Sequence, residues 1–167
     1  MSHRLPPWTT WLGEHGPGLI LFARQWSDCH ADAEDIVQEA FVHFWAKRDG
    51  VRDPLPYLYA CVRRAAVDWL RKKDRRQEQW TAGPSPAGEP WFEPVSCCAE
   101  EERRAKVEEG IATLPPDQRQ VVVMKIWGEL TFAAIGEVLS ISTNTAASRY
   151  RRALATLHKQ LREVVIE

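Results

Sequence analysis

The sequence predicts an all-α protein of two small helical domains joined by a Pro/Gly-rich linker, and three observations predict it. Apolar residues recur at helical spacing along most of the 167 residues, and the one β-branched run, Val121–Val123, sits inside a longer helical pattern. The segment Thr81–Ser96, TAGPSPAGEPWFEPVS, holds four Pro and two Gly and shows no period, which marks it as a linker. The flanking helical stretches are roughly 75 and 60 residues long, each small enough to be marginal alone. The expected division is residues 1–76, an acidic linker over 77–99, and residues 100–167.

Each element has a local reason. A first helix is expected from about Thr10 to Trp26. A second begins at Asp32, where Asp32 and Asp35 resemble a capping box set against the exposed first-turn amides. Ala33, Ile36, Val37, Ala40, Phe41 and Phe44 share one broad face of that helix, and Asp35, Gln38 and Glu39 share the opposite one. Pro54 and Pro56 punctuate a loop over Asp49–Pro56, and a third helix follows from Tyr57 to about Arg76, with Leu58, Cys61, Val62, Ala65 and Trp69 as its buried stripe. The acidic run Glu100–Glu109 reads as helix. Leu114-Pro115-Pro116-Asp117 ends one helix and opens the next, Gln118 to Trp127, which Gly128 stops. Thr131 caps a short helix from Phe132 to Leu139, Ser140-Ile141-Ser142 is a turn, and a last helix from Thr143 to Leu161 buries Ala146, Tyr150, Ala153, Leu154 and Leu157. Two helices joined by a three-residue turn with a buried Ile at its centre make a helix-turn-helix candidate.

The formal net charge is -1, from 22 Lys and Arg against 23 Asp and Glu, which excludes binding nucleic acid by bulk positive charge. The charge lies in blocks, however: the nets are -3 over residues 1–50, +5 over 51–76, -5 over 77–110 and +2 over 111–167. The +5 block is the third helix, where Arg63, Arg64, Arg71, Lys72, Lys73, Arg75 and Arg76 place seven cations in fourteen residues, more than a helix end needs. From Thr143 to Arg162 there are five Arg or Lys and no acid, with Thr145, Ser148, Arg149 and Arg152 on the outward face. Taken alone, Asp35 and Glu39 fit a solvated helix face, and the last helix fits a basic amphipathic helix in a bundle.

Other function classes find little support. No Ser/His/Asp order, phosphate-cradling Gly loop or metal spacing emerges, so an enzyme is not expected. The four Cys, at 29, 61, 97 and 98, include no CxxC pair and read as scattered reduced thiols, with the vicinal Cys97 and Cys98 beside Glu100 the one place for redox or metal chemistry. The eight Trp are dispersed, as packing anchors would be. No signal-peptide core and no stretch near the ~18 apolar residues of a membrane span occurs, so a cytoplasmic protein is expected.

Ala33-Glu34-Asp35-Ile36-Val37-Gln38-Glu39-Ala40-Phe41 resembles the AEDxxQExF signature of region 2 of bacterial RNA polymerase sigma factors. Leu114-Pro115-Pro116-Asp117-Gln118-Arg119, the helix-turn-helix, and Thr145-Ala146-Ala147-Ser148-Arg149-Tyr150-Arg151-Arg152-Ala153 resemble the LPxxxR and TVxSRxxRA signatures of region 4. Both regions in this order with a short linker resemble the extracytoplasmic-function (ECF) subfamily of the sigma-70 family. The resemblance implies a non-enzymatic specificity subunit for transcription initiation, with core RNA polymerase (β′ and β subunits) and promoter DNA as partners, an anti-sigma factor as a frequent third partner in the family, and no cofactor or metal. It implies that Asp35, Gln38 and Glu39 dock on the β′ coiled coil. It further implies that the third helix and its preceding loop, with Arg52, Tyr57, Arg63, Arg64, Arg71 and Lys72, meet the minus-10 element where strands separate. Thr143, Thr145, Ser148, Arg149 and Arg152 would then meet the major groove and backbone of the minus-35 element. Arg64 stands where the family often has Asn, Ala134 where it usually has Glu, Ser140 where it usually has the turn Gly, and Ala147 at a frequently basic position. A stand-alone helix-turn-helix regulator is the alternative of a different class, and the region 2 signature separates the two.

Overall fold

The computed structural model describes residues 8–27, 29–79 and 109–165. The linker sequence, most of the acidic run Glu100–Glu109 and the Cys97-Cys98 pair lie outside the described residues. The described part is helical, with no strand among its residues: α1 (Trp8–Ala23), α2 (His30–Lys47), α3 (Pro54–Gln79), α4 (Pro116–Ile126), α5 (Phe132–Leu139) and α6 (Thr143–Val165).

Packing decides α1 against its own sequence. Gly13, Gly16, Pro17 and Gly18 disfavour a helix, yet Leu19, Phe22 and Ala23 are fully buried and Trp11 stacks on Phe44 at 5.2 Å. α1 stops at Ala23 rather than Trp26, because the Trp26 amide closes a turn onto the Ala23 carbonyl at 3.0 Å. α2 begins two residues earlier than Asp32, and the cap is Cys29, whose Sγ accepts the Asp32 amide at 3.4 Å. Asp32 lies in the first turn, where its charge still favours the helix dipole. α3 begins at Pro54, not Tyr57, since both prolines fall in a first turn whose amides would be unbonded in any case. It ends at Gln79, and the loop before it is shortened further by a 3-10 turn at Arg48–Gly50.

In the C-terminal half, residues 109–113 are helical and Pro115 turns the chain into α4, which starts at Pro116, two residues before the expected Gln118. Gly128 follows α4, but the left-handed residue is Glu129 (φ 51°). Gly128 is needed for closeness: a Cβ there would lie 2.7 Å from the Met124 carbonyl oxygen and 3.0 Å from the Tyr59 ring. Thr131 Oγ1 caps α5 by accepting the Ala134 amide at 3.2 Å, and α5 has the expected bounds. Ser140 ends it in the left-handed region (φ 57°, ψ 45°), and the Ile141 amide bonds the Gly136 carbonyl at 2.9 Å. Gly136 lets that turn close, because a Cβ would meet the Ile141 oxygen at 2.7 Å. α6 extends to Val165 and buries Ala146, Ala153 and Leu157, whereas Leu154 is 41% exposed because its position turns away from α4 and α5. Ile141, expected to be buried, is half-buried and packs at the edge of the core, as do Phe41, Trp69 and Tyr150.

The cores of the two halves merge. Ile111, Leu114, Val122, Ala153 and Leu157 form a small cluster within the C-terminal half. Val121, Val123, Met124, Ile135 and Leu139 instead join the cluster built on Leu19, Phe22, Phe44 and Leu58. Four consecutive buried residues, 121–124, mean that α4 is covered all round at this turn, by α6 on one side and by the N-terminal half on the other. α1 packs on α4, and α3 packs on α5.

Candidate nucleic-acid and docking interfaces

The buried face of α2 fixes its outer face. Ala33, Ile36, Val37, Ala40 and Phe44 are turned into the core, so Asp35, Gln38 and Glu39 are exposed together on the opposite side. Asp35 and Glu39 make no ion pair with another described residue, and one turn further along the same face Val42 is 71% exposed. The face therefore offers two free carboxylates, an amide and an apolar side chain at i, i+3, i+4 and i+7 spacing. Sequence reasoning named the polar residues of this face and passed over Val42.

α3 carries its cations on the side away from the core. Arg52, Arg64, Arg71 and Lys72 are exposed and Arg63 is half-buried. Arg71 pairs with Asp68 at 3.6 Å one turn back, and Lys73 lies over the Trp69 ring at 5.1 Å. Tyr57 is half-buried, its ring 6.3 Å from Phe44, and it bonds the Cys61 side chain. Burial pushes the Cys61 thiol up, and the Tyr57 bond and then the nearby Arg64 and Lys47 charges partly oppose that. Tyr57 is thus anchored at the edge of the core rather than standing free. The loop before α3 has another aromatic-cation pair: the Arg48 guanidinium lies 4.1 Å over the Trp45 ring and donates to the Trp45 carbonyl. Trp45 and Arg48 are three residues apart across the end of α2, a spacing that sequence reasoning passed over.

The helix-turn-helix brings the third group together. Ser142 Oγ accepts the Thr145 amide at 3.0 Å, so Ser142 is the cap of α6 and the Thr145 hydroxyl lies 2.8 Å from it. Thr143, Asn144, Thr145 and Arg152 are exposed, and Ser148 and Arg149 are half-buried. Asp117, at the start of α4, reaches across to Arg149, with Oδ2 3.2 Å from Nε. Asp117, Asn144, Thr145, Ser148, Arg149 and Arg152 line an open cleft of about 380 Å3. This is a surface of hydroxyls, an amide and guanidinium groups around one carboxylate, suited to phosphates and to the donor and acceptor edges of bases. Arg119 is the architectural arginine: it donates to the Ala112 and Leu114 carbonyls, tying residues 109–114 to α4, and burial lowers its pKa. Among the described residues no group of three His, Cys, Asp or Glu is placed to hold a metal, and no helix is long and apolar enough to cross a membrane.

With this geometry in place, the comparisons with known proteins are specific. Residues 11–76 match Sigma-70 region 2, and residues 104–157 match Sigma-70, region 4. The chain is 31% identical over 144 residues to the ECF RNA polymerase sigma factor SigW of Bacillus subtilis, covering 80% of this chain and 77% of SigW. It is 34% identical over 132 residues to the ECF RNA polymerase sigma factor SigJ of Mycobacterium tuberculosis, covering 74% of this chain and 42% of that longer protein. Among solved structures it resembles the sigma factor RpoE in complex with the anti-sigma factor NepR from Bartonella quintana, with a TM-score of 0.69 at 21% identity over 95% of this chain and 98% of that one. CnrH in complex with the cytosolic domain of CnrY gives a TM-score of 0.57 at 22% identity, over 93% and 87%. At those identities the two structures speak for the fold.

Proposed function

The chain belongs to the extracytoplasmic-function group of the sigma-70 family, and on that premise we propose that it binds core RNA polymerase and directs it to two-part promoters. One observation carries the reading: the same chain presents an exposed acidic face on α2 and, after the linker, a helix-turn-helix whose outward residues line an open cleft. A duplex-binding regulator needs only the second. Residues 1–76 serve as region 2, 77–99 as the linker and 100–167 as region 4.

In this function Asp35, Gln38 and Glu39 dock on the β′ subunit, their charges steering association more than setting affinity. Arg63, Arg64, Arg71 and Lys72 follow the phosphates at the minus-10 element, and Arg52 and Tyr57 lie where the strands part. Thr143, Thr145 and Ser148 position α6 on the minus-35 backbone, and Arg149 and Arg152 reach for base edges or adjacent phosphates. The chain supplies recognition, and nucleotide addition belongs to the polymerase. It works where the polymerase is, in the cytoplasm, and an anti-sigma factor is a partner of the same kind as NepR in the related RpoE complex. Co-elution of the purified chain with core polymerase tests the docking step. A stable complex is expected, and a chain that binds duplex DNA but never co-elutes with core would refute the reading.

A further inference from the structure

One carboxylate stands among the residues turned toward DNA. A polyanion repels an acid, and from Thr143 to Arg162 the last helix has none, yet Asp117 of α4 opens onto the same cleft as Thr145, Ser148, Arg149 and Arg152. Its charge favours the first turn of α4, but that benefit does not require it to face α6. Asp117 is also firmly placed. Pro116 fixes the backbone just before it, residues 121–124 of the same helix are buried, and Arg119 ties the helix to the Ala112 and Leu114 carbonyls. Arg149 comes from α6, on a turn held between the buried Ala146 and Ala153.

The pair sets a donor and an acceptor side by side. Arg149 Nε lies 3.2 Å from Asp117 Oδ2, the carboxylate has no other partner among the described residues, and it is the more exposed of the two side chains. Nε is the guanidinium atom nearest the acid, so Nη1 and Nη2 remain as donors for a second acceptor. In the major groove a base pair likewise sets a donor beside an acceptor, because its amino and keto groups are hydrogen-bonded to each other at about 2.7–3.2 Å. The two spacings match. In a G·C pair, guanine O6 and N7 accept from Arg149 while cytosine N4 donates to Asp117, and the ion pair stays intact. Turned round, C·G sets the carboxylate against O6, acceptor against acceptor. The same rule makes T·A, with O4 toward Arg149 and adenine N6 toward Asp117, better than A·T. A phosphate has to break the ion pair to use Arg149, and it meets the carboxylate on the way.

We propose that Asp117 and Arg149 form one reading unit for a single base pair of the minus-35 element, preferring G·C with guanine on the Arg149 side. Asp117 is thereby a specificity-determining residue, although it lies outside the helix-turn-helix. The inference rests on the sigma-factor reading above and deepens its minus-35 step. Arg149 supplies the attraction to guanine, and Asp117 sets the orientation of the pair and penalises contacts made through phosphate alone.

Selection of short duplexes from a randomised library by the full-length chain, alone and bound to core polymerase, tests this. The unsubstituted chain should show one position at which G·C exceeds C·G, and T·A exceeds A·T, each by at least about fivefold, the lower bound for one good base contact. Arg149→Ala should remove the preference there. Asp117→Ala should bring T·A and A·T within about twofold at that same position, leave the other positions unchanged, and raise affinity for duplexes that lack the preferred pair. Asp117→Asn, equal in size and able to donate as well as accept, should also equalise T·A and A·T, so a folding defect in one variant does not decide the outcome. Orientation preferences that survive both Asp117 substitutions would overturn the proposal, as would flattening at a position other than the one lost with Arg149→Ala. A uniform rise in affinity with every preference kept would leave Asp117 as a competitor for Arg149 and nothing more, and would overturn it too. If core polymerase with the chain directs no start site while the free chain selects duplexes in this way, the sigma-factor reading fails and the assignment of Asp117 stands. A chain that selects no sequence in either form overturns both.

Discussion

Arg149 is held by a carboxylate in the cleft it shares with the other DNA-facing residues, and Asp117→Asn exposes what that pairing does. The Nε to Oδ2 distance is 3.2 Å, with the side chains 27% and 49% exposed. At that separation in water the attraction is about 1 kcal/mol, and exposed pairs measure about 0.2–1 kcal/mol once screening and side-chain entropy are included. Loss of the carboxylate thus costs less than about 1 kcal/mol of stability. It also removes a negative charge from the approach of the DNA backbone and releases Arg149 from a partner that DNA must otherwise displace. The same 0.2–1 kcal/mol, returned to binding, is a rise of about 1.5–5-fold in duplex affinity. One more neutralised phosphate steepens the dependence of log K on log salt by about 0.9. Fluorescence anisotropy of the full-length variant on a 20-base-pair duplex, titrated at several salt concentrations, reads both quantities. Weaker binding with an unchanged salt slope would refute the competition argument and assign Asp117 to holding Arg149 in its DNA-competent pose.

Reversing charge with Asp35→Lys and Glu39→Lys should weaken core polymerase binding at least tenfold while circular dichroism stays unchanged, since both side chains are exposed and make no ion pair with another described residue; unaltered affinity would remove α2 from the docking surface. Arg149→Ala should flatten discrimination among minus-35 variants, whereas a uniform loss across all sequences would place Arg149 on a phosphate. Ser140→Gly should stabilise the chain: relief of a left-handed non-glycine residue, about 1–2 kcal/mol, outweighs the extra unfolded-state entropy of Gly, about 0.5–1 kcal/mol. Calorimetry should show the melting midpoint rising by about 2–4 °C, and a fall would mean that the Ser140 side chain contributes a contact worth more than its strain.

How much of this was legible in the sequence varied with how local each determinant is. α5 and the start of α6 were readable to the residue because Thr131 and Ser140–Ser142 bound them with short-range hydrogen bonds. The Asp35, Gln38 and Glu39 face followed from periodicity alone, because the opposite face is continuously apolar. The α2 cap was misplaced because a cysteine sulfur is a weak acceptor and Asp32 offered the more familiar pattern. The need for Gly128 and Gly136 was hidden for another reason: Gly136 is set by the Ile141 carbonyl folding back in the turn, and Gly128 by the Met124 carbonyl and by the Tyr59 ring, which arrives from α3. Distant partners also hid Asp117, whose partner Arg149 is 32 positions away, and Tyr59, which fell off the expected stripe of α3 yet is the largest fully buried side chain among the described residues. Burial of residues 121–124 on all sides depends on the two halves meeting, and no pattern within either half encodes it.

The central claim is that the chain gives core polymerase a promoter preference it otherwise lacks. Run-off transcription with sequencing of 5′ ends, from a randomised promoter library with and without the purified chain, measures this directly. The account predicts start sites that occur only when the chain is added, preceded by two sequence blocks, the upstream one lost with Arg149→Ala and all of them lost with Asp35→Lys and Glu39→Lys. The same start sites from core alone and from core with the chain would contradict it.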